Sequence, residues 1–128
     1  MAPFIYVGTT SVKPGRLPDL RNQLAEVIDF VETNEPRMTA FHCYLNDAGD
    51  RLTIVHVHPD SASMEFHMQV NATHFATAFD NLDTVISEQY CGTMTDALKA
   101  ELAKWDEPAI KVIRMPVHVG GFTRSNIR

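Results

Sequence analysis

The stretch His58-Pro59-Asp60-Ser61-Ala62-Ser63-Met64-Glu65-Phe66-His67-Met68-Gln69-Val70-Asn71-Ala72-Thr73-His74-Phe75-Ala76-Thr77-Ala78-Phe79 closes one element and opens another. His58 ends a β-branched run, and Pro59 marks a break. Asp60 or Ser61 can cap the first N–H groups of a helix, with Glu65 near its positive dipole end. Met68, Ala72, Phe75, Ala76 and Phe79 recur at helical spacing as an apolar stripe. His67, Asn71 and His74 run beside it, because residues four and seven apart share one side of a helix. Asn81 and Asp83 then break the helix. A helix with one apolar side needs a surface to cover, and the flanking strands supply it.

Upstream, Phe4 to Ser11 is rich in β-branched and aromatic residues and stops at Lys13-Pro14-Gly15, which predicts a first strand. Pro18 suits the first turn of a helix, with Asp19 beside it. Leu20, Leu24, Val27, Ile28 and Val31 form its inner face. It ends near Asn34, because Pro36 disfavours helix at Glu35. Met38 to Asn46 and Arg51 to His58 read as strands two and three. The short turn Asp47-Ala48-Gly49-Asp50 makes them an antiparallel hairpin. Period two puts Phe41, Cys43 and Leu45 on one face and Ala40, His42 and Tyr44 on the other. Likewise Leu52, Ile54, His56 and His58 oppose Thr53, Val55 and Val57.

Downstream, Thr84 to Tyr90 reads as strand four despite Ser87, Glu88 and Gln89, which are weak strand formers. Thr93 or Thr95 caps a third helix, with Ala97, Leu98, Leu102 and Trp105 on its buried side and Pro108 at its end. Ile110 to Val119 is a fifth strand, and Pro116 within it argues for a sheet edge. The order is βαββαβ, the split βαβ of a ferredoxin-like α+β fold, followed by an added helix and strand. The 128 residues make one domain, with a core at about 4–90 and an extension at about 93–124. Both helices of the core fall on one side of the sheet. The other side still holds apolar groups, and a patch that size predicts a homodimer with its sheets face to face.

The bulk numbers narrow the function classes. A net charge of −5 argues against a nucleic-acid surface and against a polybasic membrane site. No apolar run approaches the ~20 residues of a membrane span, and the N-terminal residues read as a strand, not a leader. With Cys43 and Cys91 read as reduced thiols, a cytoplasmic setting is expected.

With Asn34-Glu35-Pro36 after helix one, the hairpin from Phe41 to Val57, and Asp60, Ala62, His67 and His74-Phe75 in helix two, the chain resembles the dimeric α/β-barrel superfamily. Within it, the resemblance is to the antibiotic biosynthesis monooxygenase-like proteins, over residues 4 to 90. The end, His118-Val119-Gly120-Gly121-Phe122-Thr123-Arg124, resembles the extension of some bacterial members. The resemblance implies a homodimer with a cleft between each sheet and its helices. It also implies cofactor-independent oxygenation of a small aromatic or quinol-type metabolite. The haem-degrading members use an asparagine, a tryptophan and a histidine around the haem. Here Trp105 lies in the added helix and strand one has no asparagine, so haem degradation is not expected.

A cofactor-independent oxygenase must remove a proton from an acidic phenol or anthrone carbon, and a histidine can act as that base. His67 and His74 are therefore the catalytic candidates. Asn71, Tyr44 and Tyr6 are candidates to hold a substrate oxygen, and Phe75 to line the pocket. The competing reading seats both histidines at a helix–sheet seam with satisfied hydrogen bonds. His56 and His58 share a strand face but belong to no recognised metal motif, so neither a metal nor another cofactor is expected. Gly120-Gly121-Phe122 fits a terminal turn, with a lid or an anion nest as its functional alternative. The alternative to an enzyme is a non-catalytic ligand-binding or structural homodimer of the same fold.

Overall fold

A computed structural model describes residues 2–74 (backbone alone for 71–74), 80–104 and 109–124. The elements are β1 Phe4–Val12, α1 Leu17–Asn34, β2 Ala40–Leu45, β3 Arg51–His58, α2 Ser61–His74, β4 Leu82–Cys91, α3 Asp96–Ala103 and β5 Lys111–Met115. The sheet order is β2-β3-β1-β4-β5. Each neighbouring pair among the first four strands is antiparallel, and β5 adds in parallel beside β4. This is the ferredoxin-like arrangement, extended at one edge by α3 and β5.

The chain reaches this arrangement through local rules. At the hairpin, Gly49 has φ 72°, a left-handed conformation that glycine adopts without strain. The Asn46 side-chain oxygen accepts the N–H groups of Asp50 and Arg51, at 3.1 and 3.0 Å, and closes the turn. α1 begins with proline in its first turn and has no side-chain cap. α3 is capped by Thr95, whose hydroxyl accepts the Leu98 N–H at 3.2 Å.

All three helices lie on one face of the sheet. Near the middle strands' one end, Phe4, Met64, Tyr90, Leu98 and Leu102 pack together; near the other, Val12, Leu20, Leu52 and Leu82 do. Phe4 and Val12 share a strand face by parity, so both clusters belong to one layer. The reverse face carries Ile5, Val7, Val55, Val57, Ile113 and Met115, and no helix among the described residues covers it.

Several details depart from the sequence expectations. β4 starts at Leu82, so Asp83 lies inside a strand instead of breaking a helix. The weak strand formers of β4 hold because the strand is paired on both sides. β5 stops at Met115, so Pro116 ends the strand at the sheet edge instead of interrupting it. Ile28 is exposed and Ala97 faces solvent, so the inner faces of α1 and α3 are narrower than their periodicity. Residues Phe75 to Phe79, Trp105 and Pro108 lie outside the described residues.

Candidate active site

The helix-facing side of β3 is apolar at Leu52 and Ile54, then turns polar. His56 and His58 follow on the same face, both buried. A buried polar group must find a partner, and these two find each other: His56 Nδ1 lies 2.7 Å from His58 Nε2. His58 Nδ1 lies 2.7 Å from the Ser63 hydroxyl in the first turn of α2. Asp60 fixes that turn by accepting the Ser63 N–H at 3.0 Å, and Arg37 forms an ion pair with Asp60. The Arg37 hydrogen bond, with the backbone N–H of Ser63, holds the Asp60 carboxyl below its ordinary pKa.

A second pair meets this row from α2. His67, one turn beyond Ser63, donates its Nδ1–H to both Glu35 oxygens, at 2.8 and 3.0 Å. Glu35 is the C-cap of α1, and its backbone N–H still bonds to Val31. Because Pro36 bars it from helical geometry, the chain turns there and the carboxylate enters the core. Both side chains are almost closed to solvent, at 5% and 2% exposure. An ionised carboxylate can only accept, so the proton of this bond sits on His67 Nδ1.

The rings of His67 and His56 lie 4.5 Å apart between centroids. His56 is stacked on Tyr6 at 4.6 Å and on Phe41 at 5.8 Å. Burial, aided by the neighbouring His67 and His58, pushes the His56 pKa well below that of a free imidazole. His58 is brought down to about 4 by burial first and then by the neighbouring His67, against a smaller opposite pull from Asp60. Both rings are therefore neutral at pH 7.

Tyr6 and Tyr90 both donate to Glu88 Oε2, at 2.8 and 2.9 Å. Burial first, then the nearby Glu88, raises the Tyr6 phenol pKa well above its usual value. Tyr6 thus stays protonated and remains a donor. Its ring fits because the cross-strand position opposite Glu88 is Gly8: a Cβ there would stand 2.1 Å from the Tyr6 oxygen.

The structure brings His67 and Tyr6 into one cluster. Tyr44 stands on the opposite face of the sheet, 61% exposed, and so cannot meet Tyr6 in one monomer. Asn71 and His74 follow His67 along the backbone of α2, and their side chains lie outside the described residues, as does Phe75. Glu35, Ser63 and Glu88 join the site without having been singled out as site residues. The only advance signal was polar residue types at positions that periodicity or a following proline turns inward.

Among the described residues, no three His, Cys, Asp or Glu side chains are arranged to hold a metal ion. His56 and His58 point their nitrogens at each other instead. Cys43 and Cys91 are both free thiols, and burial raises the Cys43 thiol pKa to about 11. Two cavities lie elsewhere. One, of about 380 Å³, is bounded by Asp60, Ser61, Gly92, Thr95 and His118. The other, of about 570 Å³, lies between the reverse sheet face at Ile5 and Val57 and the tail from Val117 to Thr123. No helix among the described residues is long and apolar enough to cross a membrane.

No family model matches the sequence, and no curated protein matches it. Solved structures do match the fold. MupZ from Pseudomonas fluorescens superposes with a TM-score of 0.78 at 16% identity, over 100% of this chain and 99% of its own. Rv0793 from Mycobacterium tuberculosis gives 0.60 at 15% identity, over 75% and 99%. A candidate antibiotic biosynthesis monooxygenase from Caulobacter crescentus gives 0.59 at 13%, over 69% and 86%. The fold is thus that of the antibiotic biosynthesis monooxygenase-like structures. The match to MupZ takes in α3 and β5 as well.

Proposed function

We propose that this protein is an acid–base enzyme of the monooxygenase-like fold, acting as a homodimer on a small aromatic or quinol-type metabolite. The observation that carries the reading is the buried His67–Glu35 pair, which reaches Tyr6 through the His56 ring between them. Glu35 holds the His67 tautomer and would stabilise the imidazolium formed when Nε2 takes a proton. Tyr6 is kept protonated beside Glu88, and its one O–H would have to leave that carboxylate to meet a substrate oxygen. Asn71 and His74, on the same side of α2, are the further candidates for holding substrate and moving protons, with Phe75 next along the chain.

In the oxygenase form of this reading, the carbanion left at an activated CH₂ reacts with dioxygen. One oxygen atom becomes a carbonyl, the other leaves as water, and the substrate supplies the electrons. Proton abstraction rests on the site; dioxygen as co-reactant rests on likeness of fold, which does not by itself fix function. Oxygen uptake and product formation with a panel of anthrones and quinols test both parts. Conversion with oxygen uptake, lost in His67→Gln, supports the whole reading. Conversion without uptake keeps the acid–base role and removes the monooxygenase. A rate unchanged in His67→Gln removes the role of His67.

A second reading, a non-catalytic ligand-binding homodimer, is favoured by the position of the cavities, which lie away from His67. Ligands that raise the melting temperature equally in the parent and in His67→Gln, with no conversion, would decide for it.

A further inference from the structure

We infer that Glu88 is the specificity-determining residue on the helix side of the sheet, where its free carboxylate oxygen accepts a hydrogen bond from a phenolic hydroxyl of the ligand. The inference rests on the reading above and deepens it, by naming what the substrate must carry. Glu88 on β4 pairs with Gly8 on β1, and Tyr90 pairs with Tyr6, so all four share the face that the helices cover. Both tyrosine hydroxyls donate to one oxygen, Glu88 Oε2, at 2.8 and 2.9 Å. A carboxylate oxygen has about two acceptor positions, so Oε2 is full. Each phenol has a single O–H, so neither tyrosine has a donor left for a ligand. Glu88 Oε1 has no hydrogen-bond partner among the described residues, and the side-chain atom that is both sealed and unpartnered there is Asn81 Oδ1 instead. Oε1 is therefore open to a group that enters beside it.

The surroundings say what can enter. The two buried clusters, one around Phe4 and Tyr90 and the other around Val12 and Leu52, lie towards opposite ends of this face. Between them Tyr6, Ile54 and Glu88 each keep part of their surface exposed. The rings of Tyr6, His56 and Phe41 stand in a stacked row across β1, β3 and β2, with centroids 4.6 and 5.8 Å apart. This neutral, aromatic neighbourhood suits an aromatic ligand, and the carboxylate is the charged acceptor beside it. A neutral hydroxyl gains a charge-assisted hydrogen bond at Oε1. An ammonium group would be drawn there too, but it would lose its water against an apolar lining, and two phenols already share the charge of Glu88. An ether oxygen has no donor and would leave Oε1 facing a second acceptor. A ligand carboxylate would set like charges together. Tyr6 and Tyr90 act as positioning residues: by holding Oε2 they fix which oxygen meets the ligand.

The test is calorimetric titration of the full chain with naphthol, its methyl ether, naphthoate and naphthylmethylammonium. The parent should bind naphthol about tenfold or more tightly than the ether, because a hydrogen bond to a charged group is among the stronger ones. In Glu88→Gln the two tyrosines should keep the amide oxygen, which turns its NH₂ towards the ligand and replaces an acceptor by a donor. The preference for naphthol over the ether should then vanish, and naphthoate should bind more tightly than it does to the parent. Naphthol and ether bound alike by the parent, a preference that survives in Glu88→Gln, or no binding of naphthol at millimolar concentration each overturn the inference. Tighter binding of the ammonium probe than of naphthol overturns the hydroxyl class. Should Glu88→Gln fail to fold, ¹³C NMR of the glutamate-labelled parent decides: the Glu88 carboxylate resonance should shift with naphthol and not with the ether, and an unmoved resonance overturns the inference. A Glu88-dependent hydroxyl preference in a protein that converts no phenol supports this inference and removes the enzyme reading. Equal conversion of phenols and their ethers, lost in His67→Gln, spares the enzyme and overturns the role of Glu88.

Discussion

His67 donates Nδ1–H to Glu35 at 2.8 Å across 32 residues of sequence, from the middle of α2 to the end of α1. The contact ties the two helices of the ferredoxin-like core at the point where a polar row crosses the sheet. Its value to a reaction lies in the charge of the carboxylate, because a neutral amide could still accept the same hydrogen bond. Glu35→Gln is therefore expected to fold and to lose activity by roughly 10²-fold or more, since general acid–base groups are worth about that much. Glu35→Ala, which leaves a buried imidazole without its partner, should also lose about 1–3 kcal/mol of stability. Chemical denaturation and turnover measured on both variants separate the two effects.

The histidine row predicts an acid limit on stability. His58 is neutral in the folded protein down to about pH 4, while an unfolded histidine takes up a proton near its ordinary 6.5. Between those values the unfolded chain binds more protons, so stability falls as pH drops from about 6.5 towards 4. For His58 alone the loss is on the order of 3 kcal/mol. His56 acts in the same direction, because burial first, then His67 and His58, lowers its pKa too. Melting temperatures across this range should fall in the parent and fall less in His58→Gln. An identical slope in both would remove His58 as the cause.

Gly8 and Tyr6 make a steric prediction. A methyl group at Gly8 would collide with the Tyr6 phenol, so Gly8→Ala must move that ring off Glu88. The expected cost is about 1–3 kcal/mol, from overpacking and from a lost hydrogen bond to a charged group. Ultraviolet titration should then show one tyrosine ionising closer to its ordinary pKa than in the parent, where burial and Glu88 hold Tyr6 high.

The reverse face of the sheet predicts association. Val7 and Val57 lie on it, cross-strand neighbours of Val55 and Ile5. Light scattering should give twice the chain mass for the parent, and Val57→Glu should halve it by setting like charges in an apolar interface. A monomeric parent at micromolar concentration would rule out the face-to-face homodimer.

Much of the fold was legible because periodicity carries it. The β3 alternation from Arg51 to His58 and the short turn before it fixed the hairpin, and Asp60 marked the start of α2. Asp83 misled because a turn-forming residue type gave way to pairing on both sides of β4. The site was legible only in part. Sequence put His56 and His58 on one face and set His67 on α2 as a base. It could not show that Ser63 closes a row with the strand pair, or that Glu35 reaches His67, because those contacts depend on how α1 and α2 lie across the sheet. Tyr44 shows the converse: parity separates it from Phe41 and the helix side of β2, and the structure leaves it exposed on the opposite face from Tyr6.

The most direct test of the central claim compares oxygen uptake and product formation by the parent protein and by His67→Gln across anthrone and quinol substrates. The account predicts conversion by the parent and a loss of roughly 10²-fold or more in the variant, with the fold intact by circular dichroism. A His67→Gln protein that converts the same substrate at the parent rate would contradict it.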